Sequence, residues 1–351
     1  MKKMKTLKPK ILIHPQQVKP TRESCKVSGS FNPGVTGYKD RVYFLVRVAE
    51  KPLVRRKNHL ALPRADFKGG YFIDWVAHKD YTRLDARGVK LKNNGLHRLT
   101  TISHLRLAIS EDGLSISTVD QQPWLYPEYE YEEYGIEDAR ITQIGDIYFI
   151  TYVAVSHQGI VTALASTKDF VTIHRHGLIF PPENKNVVIF PGKIKGKFLS
   201  IHRPSGATPM GIPGLWLSES PDASYWGNYK HLTIPMGLKN YIRLGAGPPP
   251  IHLEQGWLLI YHAVSQHPHN IKPGIYHTKV MLLEENNPSK VIWNRPQSII
   301  TPSIDVKKDD PFANVIFPTG SILRDNYIYI YCGEHDSETT VYKLPIDTLL
   351  K

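Results

Sequence analysis

The chain has 351 residues, 41% of them apolar, which is enough for a large domain with a sizeable core. Its 27 prolines, 25 glycines and 19 tyrosines, without any sustained helical spacing of apolar residues, favour strands and turns and exclude an all-α fold. The net charge of +12 is spread along the chain without a nucleic-acid-binding signature, so surface lysines explain it better than a nucleic-acid partner does, and it also suits an anionic substrate.

Signals for targeting and for metal binding are weak. No apolar run approaches the ~20 residues of a membrane helix, and the apolar stretch at residues 11–13 is too short for a signal peptide. We therefore expect a cytoplasmic protein that does not bind a membrane. Cys25 and Cys332 allow one disulfide at most. Because no histidine or cysteine cluster has the spacing of a metal site, we expect neither a metal nor a cofactor.

A strand rich in aromatic and β-branched residues, preceded by a turn, recurs five times along the chain. Each copy is followed by a second strand, in several cases closed by a turn that contains Ser and Asp. A unit repeated every ~50–70 residues predicts an all-β, five-bladed β-propeller, with an ordinary β-sandwich as the alternative. The first strands are predicted at residues 41–47, 145–152, 196–202, 256–262 and 326–331, and the second strands at 107–113, 164–170, 215–222, 280–284 and 341–345.

We expect residues 1–351 to form this one domain around a central channel that holds the active site. Residues 1–20 are predicted to be an N-terminal extension. Residues 54–97 are longer and more polar than a connection between blades requires. They are predicted to be an inserted loop at the channel mouth, because long loops in compact domains are often functional.

The segment 130–138 contains five carboxylates and ends in the motif GIEDAR at residues 135–140. Glycosidic cleavage needs a carboxylic acid that protonates the leaving group. Neighbouring carboxylates raise the pKa of such a group, because like charges disfavour ionisation. A solvated acidic loop is the alternative. The position of Glu137 and Asp138 directly before a predicted strand favours the acid.

Basic residues gather further along the chain. Lys193, His202 and Arg203 flank one predicted strand pair, and Arg175 lies just upstream. Converging basic side chains bind an oxyanion or phosphate well, although ordinary surface charges are the alternative. The Gly- and Pro-rich loop at residues 244–250 is predicted to shape the channel wall.

Taken together, these segments resemble glycoside hydrolase family 130, which contains mannoside phosphorylases and mannosidases. The resemblance runs from about Phe31 to about Tyr342. It implies a five-bladed propeller with an inverting mechanism in its central channel. The matching elements, in chain order, are residues 31–34, 43–47, 135–140, 190–191, 202–204, 245–250 and 331–336.

The resemblance also implies roles for individual residues. Asp138 matches the catalytic acid, which in the phosphorylases of the family is thought to act through a sugar hydroxyl. The last segment departs from the family's usual Tyr-Tyr-Gly-x-Ala-Asp and reads YCGEHD at residues 331–336. The aspartate is kept, and its neighbours differ. The substrate-binding set expected from the resemblance is Asn32, Arg47, Glu137, Arg140 and Asp336.

For phosphate, the resemblance implies Arg, Lys and His ligands. One arginine of the family, in the strand after the acid, is missing, and His157 or a neighbour stands in its place. Phosphate would then be a co-substrate. The expected phosphate ligands are Arg175, Lys193 and His202, with His262 and Tyr276 as weaker candidates.

We therefore expect inverting phosphorolysis of a β-mannoside, most closely β-1,2-mannobiose or its short oligomers, to α-mannose 1-phosphate and the shortened sugar. One alternative is a β-mannosidase that uses water and needs a second carboxylate ~6.5–9.5 Å from the acid. Another is a carbohydrate-binding propeller without catalysis, suggested by Tyr129, Tyr131 and Tyr134. The sequence leaves open a β-1,4 linkage, the leaving-side sugar and assembly into a homo-oligomer.

Overall fold

The computed structural model describes residues 8–205, 210–234, 240–268, 273–302 and 312–350. These residues form strands and four 3-10 helices of three residues each, which confirms the predicted all-β fold. The 3-10 helices are Pro15–Gln17, His78–Asp80, Glu130–Glu132 and Ile346–Thr348. The strands are β1 (Lys10–Ile13), β2 (Cys25–Tyr38), β3 (Arg41–Pro52), β4 (His59–Ala65), β5 (Tyr71–Ala77), β6 (Tyr81–Arg83), β7 (Gly88–Leu91), β8 (His97–Leu99), β9 (Ile102–Ser110), β10 (Thr118–Val119), β11 (Gly135–Ile144), β12 (Ile147–Ser156), β13 (Gly159–Thr167), β14 (His174–Phe180), β15 (Asn184–Ile189), β16 (Phe198–Pro204), β17 (Trp216–Ser220), β18 (Gly227–His231), β19 (Tyr241–Ala246), β20 (Ile251–Leu253), β21 (Gly256–Ser265), β22 (Ile275–Glu284), β23 (Asn287–Asn294), β24 (Ile316–Arg324), β25 (Tyr327–Glu334) and β26 (Glu338–Pro345).

Most of these strands pair in antiparallel groups that follow the chain. The first group has the order β2-β3-β9-β10 and the second β11-β12-β13-β14, and one parallel pair, Gly135 with Ser103, joins them into a larger sheet. The later groups are β15-β16-β17-β18, then β19-β21-β22-β23 with β20 beside β21, and finally β24-β25-β26-β1. Two small sheets, β4-β5 and β6-β7-β8, lie outside this series.

The predicted aromatic strands exist. Each of them is predicted to be the first strand of its unit, and each is the second strand of its group. They fall in β3, β12, β16, β21 and β25, and the strands predicted to follow them overlap β9, β13, β17, β22 and β26. Such strands are buried on both faces, so they read as apolar runs that are easy to recognise. The first strands contact one another instead: β2 contacts β11 and β24, and β15 contacts β11 and β19.

The hydrophobic core is divided between successive groups, because each group buries both of its faces. Phe44 of the first group and Tyr331 of the last pack edge to face, with ring centroids 5.0 Å apart. The last group is thereby packed against the first. The other large clusters contain Leu45 with Ile150, Phe180 with Val187, Ile201 with Leu259, and Ile260 with Ile330.

Part of the predicted N-terminal extension belongs to the last group. Strand β1 pairs antiparallel with β26, so the N-terminal and C-terminal strands lie side by side. Ile13 is 2% exposed in the cluster that also contains Val341. Residues 1–7 lie outside the described residues.

The segment at residues 54–97, predicted as a loop, is largely folded. It holds the β4-β5 hairpin and most of the three-stranded sheet β6-β7-β8.

The structure also bears on the possible disulfide and on the membrane prediction. Cys25 and Cys332 are both buried free thiols, so they are not joined by a disulfide. Within the described ranges, no helix is long and apolar enough to cross a membrane.

We predict that Ile13→Ala lowers the free energy of unfolding by about 2–5 kcal/mol, because it leaves a cavity where β1 packs on the last group. Ile11→Ala is the matched control on the same strand, since Ile11 is 42% exposed. That change should cost less than about 1 kcal/mol. Urea unfolding of both variants measures the difference. Equal losses would contradict a structural role for β1.

Candidate active site

A cavity of about 480 Å³ opens beside the first strands of the groups. Arg47 of β3, Glu137 of β11 and Lys185 of β15 line it, together with Asp336 from the turn between β25 and β26. Residues 84–88 of the inserted segment line it from another side. Three residues predicted for substrate binding, Arg47, Glu137 and Asp336, are therefore brought together.

Asp138 lies within β11 and not in a loop before a strand. The pairing of β11 with β12 shifts in register between Glu137 and Arg140, and Asp138 has a φ of 51°. Asn32 occupies a similar irregularity of β2, also with a φ of 51°. Asp and Asn tolerate this left-handed conformation better than most residues, and bulges of this kind redirect side chains. As a result, Asn32 Nδ2 donates a hydrogen bond to Asp138 Oδ1 at 2.8 Å.

Arg47 connects the acidic residues of the cavity. Its Nη1 donates to Asp138 Oδ1 at 3.1 Å and its Nη2 donates to Glu137 Oε1 at 2.6 Å. Its Nε donates to Ser103 Oγ at 3.2 Å. Burial acts to lower the pKa of Arg47, but the charges of Glu137, Asp138 and Asp336 outweigh burial and raise that pKa. Arg47 therefore stays charged.

The expectation that neighbouring carboxylates raise the pKa of Asp138 is wrong for the free protein. Burial does act to raise the pKa of Asp138, but the charges of Arg47 and Arg140 and the hydrogen bonds from Asn32 and Arg47 lower it below its usual value. Asp138 is therefore a carboxylate at neutral pH. In Asp336 burial prevails and raises the pKa, against the charges of Arg87 and Arg47.

Arg140 lies beneath Asp138 and is 1% exposed. Its Nε donates to the carbonyl of Gly247 at 2.7 Å, and its Nη1 donates to the carbonyls of Asp138 at 2.8 Å and Ala139 at 3.1 Å. Burial lowers the pKa of Arg140 to about 10, so it stays charged at neutral pH. Arg140 is expected to bind substrate. In the structure it forms hydrogen bonds with the backbone at Asp138, and its positive charge acts on the carboxylate of Asp138.

A basic cluster lies next to these carboxylates. It consists of Lys185, Arg203 and Arg243, with His262 and Tyr276 beside them. Lys185 of β15 and Arg203 of β16 are directly opposite each other in the strand pairing. Arg203 is 8% exposed, and its Nη1 lies 3.5 Å from His262 Nε2. In the described part of the chain, no carboxylate forms an ion pair with Lys185 or Arg203, and Arg203 Nε has no hydrogen-bond partner.

Burial sets the protonation of this basic cluster. It lowers the pKa of Arg203 to about 10, which leaves the guanidinium charged. Burial and the charges of Arg203, Arg243 and Arg140 keep the pKa of His262 well below its usual value, so His262 is neutral. Arg243 Nη2 donates to Tyr276 Oη at 3.0 Å, and the rings of His262 and Tyr276 are stacked at 5.7 Å. His262 and Tyr276, the weaker predictions, are thus brought together.

Three expected phosphate ligands lie elsewhere. Arg175 Nη1 forms an ion pair of 2.8 Å with Glu132, which is fully buried. Lys193 is exposed, and its Nζ lies 4.5 Å from the centroid of the Phe198 ring. His202 neighbours Arg203 in β16, but its ring stacks on Phe180 at 4.5 Å, on the other face of the strand.

The sequence interpretation missed Lys185, although a signal for it existed. Asp138 and Asn186 each have a positive φ at a register shift. Lys185 directly precedes Asn186, just as Glu137 directly precedes Asp138. An alignment of the first strands would have shown this equivalence. The expected phosphate ligands include His202 and not its neighbour Arg203. Because side chains alternate between the faces of a strand, these two residues lie on opposite faces of β16.

Two other groups of side chains make contacts within the protein. Of the aromatic residues that suggested sugar binding without catalysis, Tyr134 is 5% exposed, whereas Tyr129 is 42% exposed and stacks on Tyr131 at 5.2 Å. Glu334, His335 and Glu338 have possible metal-ligand atoms within 4.8 Å of one another. Glu334 accepts hydrogen bonds from Thr340 and Tyr342, and Glu338 pairs with His14 at 2.9 Å. These contacts account for that arrangement without a metal.

The family model for glycoside hydrolase family 130, described as β-1,4-mannooligosaccharide phosphorylase, matches residues 96–351. A β-1,2-mannobiose phosphorylase from Listeria innocua is 37% identical over 348 residues, which cover 97% of this chain and 95% of that protein. A 1,2-β-oligomannan phosphorylase from Thermoanaerobacter sp. is 32% identical over 240 residues, 67% of this chain and 76% of that protein.

Among solved structures, the β-1,2-mannobiose complex of a β-1,2-mannobiose phosphorylase from Listeria innocua resembles this chain with a TM-score of 0.87 and 37% identity. The match covers 97% of this chain and 96% of that one. The protein belongs to glycoside hydrolase family 130, and the resemblance recognised from its motifs is confirmed.

We predict a pH-dependent loss of stability in Asp138→Asn. Since the folded-state pKa of Asp138 is lowered, its charge stabilises the fold above the ordinary value of 3.8, and this contribution is lost as the pH falls through the folded value. The variant should therefore be less stable than the wild type at neutral pH, with a difference that shrinks towards about pH 3. Urea unfolding across this range measures it.

Asp40→Asn is the matched control, because Asp40 is exposed and also has a positive φ, of 61°. Its effect on stability should stay within about 0.5 kcal/mol, as is usual for an exposed surface substitution. A difference between Asp138→Asn and the wild type that is equal at both ends of the range would contradict the prediction.

Proposed function

We propose that the protein is a β-mannoside phosphorylase that cleaves β-1,2-mannobiose or short β-1,2-mannooligosaccharides with inorganic phosphate. The products are α-mannose 1-phosphate and the shortened sugar. The names of the two relatives, a β-1,2-mannobiose phosphorylase and a 1,2-β-oligomannan phosphorylase, support this function. The basic cluster beside Asp138 supports phosphate as the attacking group.

The observation that carries the proposal is the opposition of Lys185 and Arg203. Like charges directly opposite each other destabilise a strand pair, and a buried cation without a partner is costly. A phosphate between the two side chains offsets both costs with charge-assisted hydrogen bonds. The charge of Asp138 acts on both cations, which supports a phosphate site close to the acid. Arg243, His262 and Tyr276 complete the proposed phosphate site.

The mannose ring is proposed to bind to Asn32, Arg47 and Asp336. Asn32 Oδ1 is buried and has no hydrogen-bond partner among the described residues, so a sugar hydroxyl suits it as a donor. The structure brings Asp336 close enough to Asp138 for their charges to interact. A ring held by these residues would lie against the acid.

Phosphate attacks the anomeric carbon on the face opposite the leaving oxygen, so the bond from C1 to the leaving sugar breaks as the bond from C1 to the phosphate oxygen forms. Inversion turns the β-mannoside into an α-phosphate. The leaving oxygen takes a proton that originates on Asp138, passed through a sugar hydroxyl as the family resemblance implies. Phosphate bound nearby adds negative charge and raises the pKa of Asp138, which favours the protonated acid that the reaction needs.

Hydrolysis by inversion would need a second carboxylate to activate water. The cavity offers Glu137, Asp336 and Asp85, and each of them is ion-paired with an arginine. A water molecule would have to compete with these arginines for the carboxylate oxygens, and Asp336 is proposed to hold the mannose ring. Phosphate needs no such base.

We infer that the fold is a five-bladed propeller with the site in its central channel and residues 1–351 as one domain. Five antiparallel groups of strands, five large core clusters between successive groups and the contact of the last group with the first support this inference. The residues proposed to hold mannose and phosphate come from the first two strands of their groups and from the turn between β25 and β26, except Tyr276, which lies at the start of the third strand of its group. Such positions are expected around a central channel.

We also propose that phosphate is the sole co-substrate and that no metal or organic cofactor takes part, because the basic cluster supplies the positive charge. A cytoplasmic location, the lack of nucleic-acid and membrane partners, and assembly into a homo-oligomer stay predictions from the sequence.

We predict that β-1,2-mannobiose is consumed only when phosphate is present, with α-mannose 1-phosphate formed in equal amount to mannose. Asp138→Asn should reduce the rate by about 100-fold or more, because proton transfer by a positioned acid contributes on that order. Chromatography of the products with and without phosphate measures both. Release of mannose at an undiminished rate without phosphate would indicate hydrolysis, and full activity of Asp138→Asn would remove Asp138 as the acid.

A second prediction compares two lysines that undergo the same change. Lys185→Ala should raise the KM for phosphate by about tenfold or more, because a charge-assisted hydrogen bond is lost. Lys193→Ala should leave that KM within about twofold, because Lys193 is exposed and does not line the cavity. Initial rates at varied phosphate concentration measure both. The reverse result would restore the assignment made from the sequence.

A further inference from the structure

We propose that Lys26, Lys51 and Arg83 form a second oxyanion site, which binds a phosphate group at a part of the cavity wall away from Arg47. The ligand is free phosphate or the phosphoryl group of a sugar phosphate, since both present the same charged oxygens. This second oxyanion site is separate from the basic cluster beside Asp138, and it does not depend on the proposed phosphorolysis.

Strand β3 sets the position of the second oxyanion site. Arg47, Ala49 and Lys51 are every second residue of β3 and all line the cavity, so their side chains lie on one face of the strand. At about 3.3 Å per residue, Lys51 lies about 13 Å along the strand from Arg47. Arg47 contacts Asp138 and belongs to the proposed mannose site. A phosphate group at Lys51 therefore leaves the mannose site free, and both can be occupied at once.

The two lysines of this site are neighbours across a strand pair. Lys26 of β2 lies directly opposite Lys51 of β3, and both line the cavity. Side chains of directly opposite residues lie on the same face, where like charges repel each other and destabilise the pair. Neither lysine forms an ion pair or a side-chain hydrogen bond with another described residue. An anion between them replaces this repulsion with attraction to both.

Arg83 adds a third positive charge from the inserted segment. It lies in β6 and is exposed. Burial, and then the charges of Arg83 and Lys26, lower the pKa of Lys51, and no carboxylate of the described chain counteracts them. Three positive charges therefore act at one place without compensation. A phosphate group suits them better than a carboxylate does, because it carries up to two negative charges and at least three accepting oxygens.

Ser28 supplies a hydroxyl at the same part of the wall. The pairing of β2 with β3 shifts in register between Val27 and Gly29, and Ser28 lies between these two residues. It is exposed and lines the cavity together with Lys26. Since bulges redirect side chains, this irregularity brings a neutral hydrogen-bond donor beside the lysines.

Equilibrium dialysis with radiolabelled phosphate at low ionic strength tests this inference, because screening by salt is then weak. We expect Lys51→Gln and Lys26→Gln each to raise the Kd of one bound phosphate about tenfold or more, because a charge-assisted hydrogen bond is lost. Lys26 is exposed, so its replacement leaves the packing of the cavity wall intact. Lys193→Gln is the matched control, since it removes the same charge from an exposed residue that does not line the cavity. It should bind phosphate as the wild type does.

Equal phosphate binding by the wild type, Lys51→Gln and Lys26→Gln would overturn the inference, and so would an equal loss of affinity in Lys193→Gln. Lys185→Ala distinguishes this site from the one proposed for the reaction. An unchanged affinity in Lys185→Ala, with a loss in Lys51→Gln, would contradict the phosphate site of the proposed function and support the second oxyanion site.

A parallel dialysis with radiolabelled α-mannose 1-phosphate distinguishes the two sources of the phosphate group. Weaker binding of only one of the two compounds in Lys51→Gln would identify that compound as the ligand. Weaker binding of both would show that the site accepts a phosphate group from either source.

Discussion

The active site depends on one buried guanidinium. The side chain of Arg47 is 9% exposed, and it lies between Glu137 and Asp138 with Asp336 nearby. Carboxylates brought this close together repel one another, and burial adds to the cost of their charge. Removal of one partner from such a buried set typically costs about 3–5 kcal/mol. Arg47 thus lets Glu137, Asp138 and Asp336 lie close together, and it helps to lower the pKa of Asp138, the proposed acid.

The same balance of charge divides the site into two halves. In the half formed by Asn32, Arg47, Glu137 and Asp138, one cation is paired with two carboxylates, whereas Lys185 and Arg203 give the other half positive charge that no ion pair among the described residues compensates. A neutral sugar and a phosphate anion suit these halves respectively. Because the charge of Asp138 also acts on Lys185 and Arg203, the proposed mechanism couples the binding of phosphate to the protonation of Asp138. The lowered pKa of Asp138 then describes the free protein before phosphate binds, and it does not argue against Asp138 as the proposed acid.

Backbone irregularity places the functional side chains. Asn32, Asp138 and Asn186 each have a positive φ at a register shift of a first strand. Regular strands would alternate their side chains between the two faces of a sheet, where the neighbouring groups would bury them. Glycine is needed where these side chains approach the backbone of another strand. At Gly333, a Cβ atom would collide with the side chain of Asn32.

The sequence by itself determined the all-β class, the recurring buried strands and the family, and it singled out Asp138 as the candidate acid, because these depend on local composition and on motifs that are contiguous in the chain. It did not bring Lys185 and Arg203 together, since their opposition arises from the register of β15 and β16. It also misjudged the pKa of Asp138. Neighbours in sequence suggested repulsion, whereas the neighbours in space are Arg47 and Arg140. Only tertiary structure decides which charges meet, because electrostatic energy depends on distance and burial and not on separation along the chain.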